Sequence, residues 1–141
     1  MNAKHYVSLE AAKKLKELGY NELGCDGYYS KGILHLRGAE HYGGMVFDDE
    51  VIDAPTLLEA MDWIESKGIH FETRMMHCKV KGDPYKIADD DEYQWKWYFA
   101  ICKDDDVEHP IVEEGEDGYV VMHTDRNECM QKAIEKALEL L

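Results

Sequence analysis

The sequence predicts an α+β domain in which a leading helix is followed by elements in the order α-β-β-β-α. Three observations predict it: capped amphipathic helices, one long strand of alternating aromatic residues, and charged turn sequences between the elements. The 141 residues suffice for one buried core, so we assign residues 1–141 to a single globular domain. Short connections favour an antiparallel sheet of three or more strands, covered by helices on one face.

Capping signals mark the first two helices. Ser8 is placed to cap a helix over about residues 9–18, whose apolar positions recur with helical spacing. Thr56 and Glu59 form a capping box, in which each side chain accepts a hydrogen bond from the backbone N–H of the other residue. This box opens the second helix, and Gly68 ends it.

A third helix is predicted at the end of the sequence. It runs from about Arg126 to Leu141, with Asp125 and Glu128 as a second capping box. Its apolar positions repeat at helical spacing and predict one face turned towards the core. These inward positions are Met130, Ala133, Ile134, Ala137, Leu138 and Leu141.

Strand signals fill the segment between the second and third helices. Turn residues separate three candidate strands there, namely Ile69–Val80, Tyr93–Cys102 and Tyr119–His123. The segment over residues 21–53 is the least regular part of the chain. Within it, Tyr28-Tyr29 and Ile33–Leu36 predict a short hairpin around a glycine.

One predicted strand has large, mostly aromatic residues along the whole of one side. Side chains alternate between the two faces of an extended chain, so five large residues share one side. They are Tyr93, Trp95, Trp97, Phe99 and Ile101. We interpret this face as part of the core, because alternating aromatic residues beside amphipathic helices are typical of packed sheets. A platform on which a sugar ring stacks is the alternative.

The charge of the chain excludes several classes of partner. The net charge is −14, and residues 83–117 hold thirteen acids against three bases. Such a field repels nucleic acids and anionic lipid and attracts cations or basic proteins. Double-stranded RNA-binding domains share the α-β-β-β-α order, but the start of the predicted third helix has one Arg among acids instead of a lysine cluster. Without a long apolar run, we expect a cytoplasmic protein with no membrane partner.

No motif identifies a catalytic residue or a cofactor. The seven histidines show no metal-ligand spacing, and His77 and Cys78 point to opposite strand faces. The four cysteines form no pair of metal-site spacing, so we expect reduced, structural thiols. The acidic runs do not match a calcium-binding loop, and neither a phosphate-binding loop nor a nucleophile elbow occurs. We therefore predict no metal and no cofactor.

The helices and the aromatic strand together resemble a known group of proteins. The residues that carry the resemblance are Val7–Tyr20, Ala54–Ile64, Trp97–Ile101 and Ala133–Leu138. They are similar to small uncharacterised proteins of phages and mobile elements of gut bacteria. The shared positions are helix caps and core residues, so the resemblance implies no functional residues. It implies an accessory protein rather than a metabolic enzyme.

Three hypotheses about function follow. The first is a non-enzymatic accessory protein that binds another protein of basic character; a homodimer is the alternative partner. Its candidate interaction surface is Asp89, Asp90, Asp91, Glu92, Tyr98, Asp104, Asp105 and Asp106. The second is a DNA mimic that inhibits a nucleic-acid-handling enzyme. The third is a metal protein or an enzyme of unrecognised type with a pocket formed by His35, His41 and His77.

Overall fold

Three helices and two three-stranded antiparallel sheets make up the described part of the chain, which confirms the predicted α+β class. The structure is a computed structural model that describes residues 3–21, 25–36, 51–83, 85–116 and 118–141. The 3-10 turn Ala3–His5 precedes the helices α1 (Leu9–Glu17), α2 (Leu57–Glu65) and α3 (Arg126–Glu139). The strands are β1 (Gly27–Ser30), β2 (Ile33–Leu36), β3 (Ile52–Ala54), β4 (Ile69–Lys81), β5 (Glu92–Lys103) and β6 (Asp106–Val112).

The smaller sheet contains the hairpin that the sequence predicts. Its strand order is β2-β1-β3, and Tyr28 in β1 lies opposite His35 in β2. The turn between these strands is Lys31-Gly32, and both residues have positive φ angles. Two consecutive residues with φ > 0 form the type of tight turn that matches the twist of a hairpin.

The helix caps agree with the sequence prediction at two of three sites. The Ser8 side chain accepts a hydrogen bond from the Ala11 amide, and Thr56 and Glu59 form both bonds of the capping box. The box predicted at the third helix is wrong. Asp125 caps α3, but it accepts from the Asn127 amide, and the Glu128 carboxylate faces His123 instead.

The third strand of the larger sheet is β6, and the prediction of a strand at Tyr119–His123 is wrong. This sheet has the order β4-β5-β6. Among the described residues, that segment forms only isolated bridges, from Val120 to Glu114 and from His123 to Trp97. The β6 sequence contains Pro110 and several charged residues, a composition that is typical of a loop. Proline is tolerated there because β6 is an edge strand.

The core lies between the helices and one half of the larger sheet. Helix α3 packs on β5, and α2 packs on β4 and α3. Each element contributes fully buried apolar side chains, among them Leu15, Ile64, Phe99, Ile101 and Ile134. The C-terminal half of the aromatic strand is therefore core, as predicted.

The N-terminal half of the same strand is not core, which corrects the interpretation that all five large residues of this strand are buried. Tyr93 is 43% exposed and Trp95 is 60% exposed. The helical cover ends at Trp97, where the Arg126 guanidinium at the start of α3 lies 5.1 Å from the ring centroid. Beyond this point β4 and β5 continue together. We call residues 72–97, the outer part of β4 and β5 with the turn between them, the arm.

Candidate functional site

The arm is a two-stranded ribbon that extends past the helices. Its strands pair without interruption from Ile69 opposite Lys103 to Lys79 opposite Tyr93. At about 3.3 Å per residue, the ribbon from Thr73 to Lys81 is about 26 Å long. Among the described residues, no third strand pairs with it beyond the bridge from Trp97 to His123. A two-stranded ribbon alone is only marginally stable in water, so the arm is a site where additional packing would stabilise the protein.

One side of the arm carries stacked, exposed rings. We call Met75, His77, Tyr93 and Trp95 the aromatic face. The His77 ring lies 4.8 Å from the Trp95 ring and 4.9 Å from the Tyr93 ring, measured between centroids. Met75 is 53% exposed beside them. These contacts place the rings against one another, so the aromatic face is a contiguous surface.

The opposite face of β4 and β5 carries a polar cluster, in which Tyr98 lies across from Arg74. The Arg74 guanidinium lies 2.7 Å from a Glu72 carboxylate oxygen and donates a longer bond to the Tyr98 hydroxyl. The hydrogen bond from Arg74 lowers the pKa of Glu72. Tyr98 is thus occupied in a local polar cluster and does not share a face with Trp95.

The turn at the end of the arm closes around a lysine. The Lys79 ammonium lies 2.8 Å from an Asp91 carboxylate oxygen and donates to the backbone carbonyls of Asp83 and Lys86. Asp91 also accepts from the Ala88 amide. The hydrogen bond from Lys79 is the largest cause of the lowered pKa of Asp91, and the bond from the Ala88 amide is the next largest. The hydrogen bond to Asp91 in turn raises the pKa of Lys79. Asp91 supports the turn with a side chain only 3% exposed.

The predicted acidic surface is divided between the two ends of β5. Asp89–Glu92 lies at the outer end of the arm, whereas Asp104–Asp106 forms the turn between β5 and β6. Eleven strand residues, 93–103, lie between these runs and span about 36 Å. Asp104 and Asp106 contact His70 and His109 at 2.5 and 2.7 Å. The structure therefore does not bring the predicted residues together as one site.

A groove of about 640 Å³ between β6 and α3 is a weaker candidate site. Its apolar lining includes Phe99 and Ile111, and its charged lining consists of glutamates and two lysines. The lysines pair along α3, Lys132 with Glu135 at 3.6 Å and Lys136 with Glu139 at 3.5 Å. The described residues that line the groove include no serine, cysteine or histidine, and each of its two lysines already faces a glutamate on the same helix.

A buried histidine cluster lies at the start of α3. The His123 ring contacts Glu113 at 2.7 Å through Nε2 and Glu128 at 3.7 Å through Nδ1. Burial, with added repulsion from the two glutamates, raises the pKa of the neighbouring Cys129 to about 11. A thiol of this kind is unreactive at neutral pH. The cluster ties α3 to the segment that pairs with Trp97, which is a structural role.

The histidines of the metal hypothesis lie in separate sheets. His35 in β2 stacks on Tyr28 at 5.1 Å, and His77 in the arm stacks on Trp95. His41 lies outside the described residues. In the part of the chain that the structure describes, no group of three or more His, Cys, Asp or Glu side chains could hold a metal ion.

Comparison with known proteins adds no assignment. No family model, curated protein or solved structure matches this chain. Among the described helices, none has the length and apolar composition needed to cross a membrane.

Sequence reasoning missed Met75 as a site residue, and it considered His77 only as part of the pocket of the metal hypothesis. The signal that could have found them is a difference in length. The twelve-residue strand β5 is about 40 Å long, whereas the helix that packs on it, α3, has fourteen residues and is about 21 Å long. A helix of this length cannot cover such a strand, so part of the aromatic side of β5, with the β4 residues beside it, had to remain outside the core.

Proposed function

We propose that the protein is a non-enzymatic binding protein that acts in the cytoplasm by docking a basic protein segment on the aromatic face. The observation that carries the proposal is the exposed stack of His77, Tyr93 and Trp95 on a ribbon without helical cover. The resemblance to proteins of mobile elements agrees with an accessory role of this kind.

The apolar character of the face favours a protein partner. Exposed, contiguous apolar side chains mark interaction surfaces, and Trp, Tyr and Met are enriched in the centres of interfaces. Trp95 and Tyr93 have little freedom to lose on binding, because His77 already stacks on both rings. A partner with an apolar stripe along an extended segment would match this ribbon.

The charge near both ends of the aromatic face favours a basic partner. Asp89 and Asp90 are exposed in the turn of the arm, and Glu113 and Glu128 contact His123 at the other end. The net charge of −14 would accelerate the approach of a cationic protein and slow that of an anionic one. The DNA-mimic alternative has less support, since the acidic runs lie in separate turns and not along one face.

A peptide probe and two adjacent methionines test the proposal. The probe is a synthetic peptide of alternating lysine and leucine, in which every leucine shares one face when the chain is extended. Met75 is 53% exposed on the aromatic face, and Met76 is 51% exposed on the opposite face. We expect Met75→Ser to weaken binding of the probe about 5-fold or more and Trp95→Ser about 10-fold or more. Met76→Ser is the matched control and should bind as the wild type does.

Two further controls separate specific docking from simple charge attraction. A peptide with glutamate in place of every lysine should fail to bind. A lysine peptide in which serine replaces leucine should bind weakly and should not distinguish Met75→Ser from the wild type. The proposal is wrong if both methionine variants lose affinity equally, or if Trp95→Ser binds the lysine–leucine probe as tightly as the wild type.

A further inference from the structure

We infer that the outer edge of β4 pairs with the same edge of a second copy of the chain, so that two arms form one continuous antiparallel sheet. This inference concerns the strand edge of the arm and is independent of the partner proposed for the aromatic face.

The bridge to His123 shows which backbone groups of β4 point away from β5. Trp97 exchanges both of its backbone hydrogen bonds with His123, each at 2.7 Å, on the side of β5 away from β4. Because the direction alternates along a strand, the residues of even number in β5 point towards β4. The register is continuous, so the even-numbered residues of β4 form the hydrogen-bonded pairs with these residues. The N–H and C=O groups at Thr73, Met75, His77 and Lys79 therefore point outward.

This outward edge lacks the devices that normally prevent strand pairing. Natural edge strands are interrupted by proline, by bulges or by free charges. Residues 73–79 contain no proline, and their register with β5 has no bulge. Both charged side chains of this stretch are already paired, Arg74 with Glu72 and Lys79 with Asp91. Among the described residues, no strand covers the edge.

The charge distribution permits two arms to meet. The arm holds five bases and six acids, so it carries −1 of the net charge of −14. The other negative charges lie outside the arm. Two bodies held apart by arms of about 26 Å lie beyond the screening length of about 10 Å at moderate salt. The repulsion between copies is therefore weakest in an arrangement that joins them through the arms.

The outward edge is also self-complementary in one register. A two-fold axis at Met76, the centre of the free stretch, places Met75 opposite His77 of the second copy and Thr73 opposite its Lys79. The flanking pairs are Arg74 with Cys78 and Glu72 with Val80, so no like charges face each other. This register forms about eight backbone hydrogen bonds between the copies. It also places the two aromatic faces on the same side of the joined sheet.

Cysteine cross-linking tests this register. In a background of Cys78→Ser and Cys102→Ser, which removes the two partly exposed thiols, Met76→Cys places two thiols across the axis. The facing Cα atoms of such a pair are about 4.5 Å apart, which suits a disulfide. Met75→Cys is the matched control, because its copies lie about 8 Å apart or more, too far for a disulfide. Under mild oxidation, we expect the Met76→Cys protein to form a covalent dimer at least about 10-fold faster than the Met75→Cys protein.

The wild-type chain provides a test that needs no variant. Sedimentation equilibrium should show a monomer–dimer equilibrium at micromolar to sub-millimolar concentrations. Amide hydrogen exchange at Thr73, Met75, His77 and Lys79 should slow as the concentration rises, whereas exchange at Arg74, Met76 and Cys78 should not change. A monomer with concentration-independent exchange, or equal cross-linking of both cysteine variants, would overturn the inference. Neither result would bear on peptide binding by the aromatic face.

Discussion

At the scale of single residues, Lys79 organises the end of the arm. Its ammonium group has three N–H donors and binds three acceptors, namely the Asp91 carboxylate and the carbonyls of Asp83 and Lys86. A lysine in this position acts as an internal cation around which the turn folds. The Lys79 ammonium also lies 5.8 Å from the centroid of the Tyr93 ring and thereby links the turn to the aromatic face.

This ion pair predicts how the turn responds to pH. The pKa of Asp91 is lowered in the folded chain, so its stabilising effect is present above the ordinary aspartate value and is lost as pH falls through the lowered pKa. The pKa of Lys79 is raised, so its effect is present below the ordinary lysine value and is lost as pH rises through the raised pKa. The Ala88 amide, which donates to Asp91 at 2.8 Å, reports the acid transition.

We therefore expect the Ala88 amide proton shift to titrate with a midpoint below about 3.9, the ordinary aspartate value. The measurement is a series of two-dimensional NMR spectra across the acid range. Lys79→Met should raise this midpoint towards the ordinary value, because it removes the largest cause of the lowered pKa. A midpoint at the ordinary value in the wild-type chain would contradict the assigned ion pair.

The buried thiol of Cys129 gives a second residue-scale prediction. Its pKa of about 11 leaves almost no thiolate at pH 8, and burial excludes reagents. In the native protein, a disulfide reagent should label the partly exposed Cys78 and leave Cys129 unmodified. Denaturant should make both react. Modification of Cys129 at the rate of Cys78 without denaturant would show that the start of α3 opens readily.

At the scale of elements, the capping box of α2 is the clearest local determinant. Thr56 and Glu59 form reciprocal bonds of 2.9 and 3.2 Å, which satisfy two helix N–H groups that otherwise lack partners. We expect Thr56→Ala to lower the free energy of unfolding by about 1 kcal/mol, measured by urea denaturation. Thr56→Ser keeps the hydroxyl and should lose much less. Equal losses in the two variants would mean that the cap contributes little.

The elements also show how far the sequence could predict the fold. The helices were predictable because their caps and periods are local signals, and the β1–β2 hairpin followed from a short turn. The third strand was not, because Pro110 and the charges of β6 resemble a loop, and only its position at the sheet edge makes them acceptable. The Glu128 side chain was misassigned for a similar reason, since its neighbour His123 became visible only in the tertiary structure.

At the scale of the whole molecule, charge and apolar surface are separated. The arm carries −1 of the total of −14, and the exposed rings lie on it. The sequence predicted an acidic interaction surface because the acids are close along the chain. The extended strand β5 places the two runs about 36 Å apart, so proximity in sequence did not become proximity in space. We propose that the acids guide a partner and that the aromatic face binds it.

The most direct test of this account follows the methionine methyl groups by NMR during a titration. Met75 and Met76 are adjacent, almost equally exposed and on opposite faces of β4, so each serves as the control for the other. At fixed protein concentration, the lysine–leucine peptide should shift the Met75 methyl resonance progressively to saturation and leave that of Met76 unchanged. Equal shifts of both resonances, or a shift of Met76 alone, would contradict the aromatic face as the binding surface.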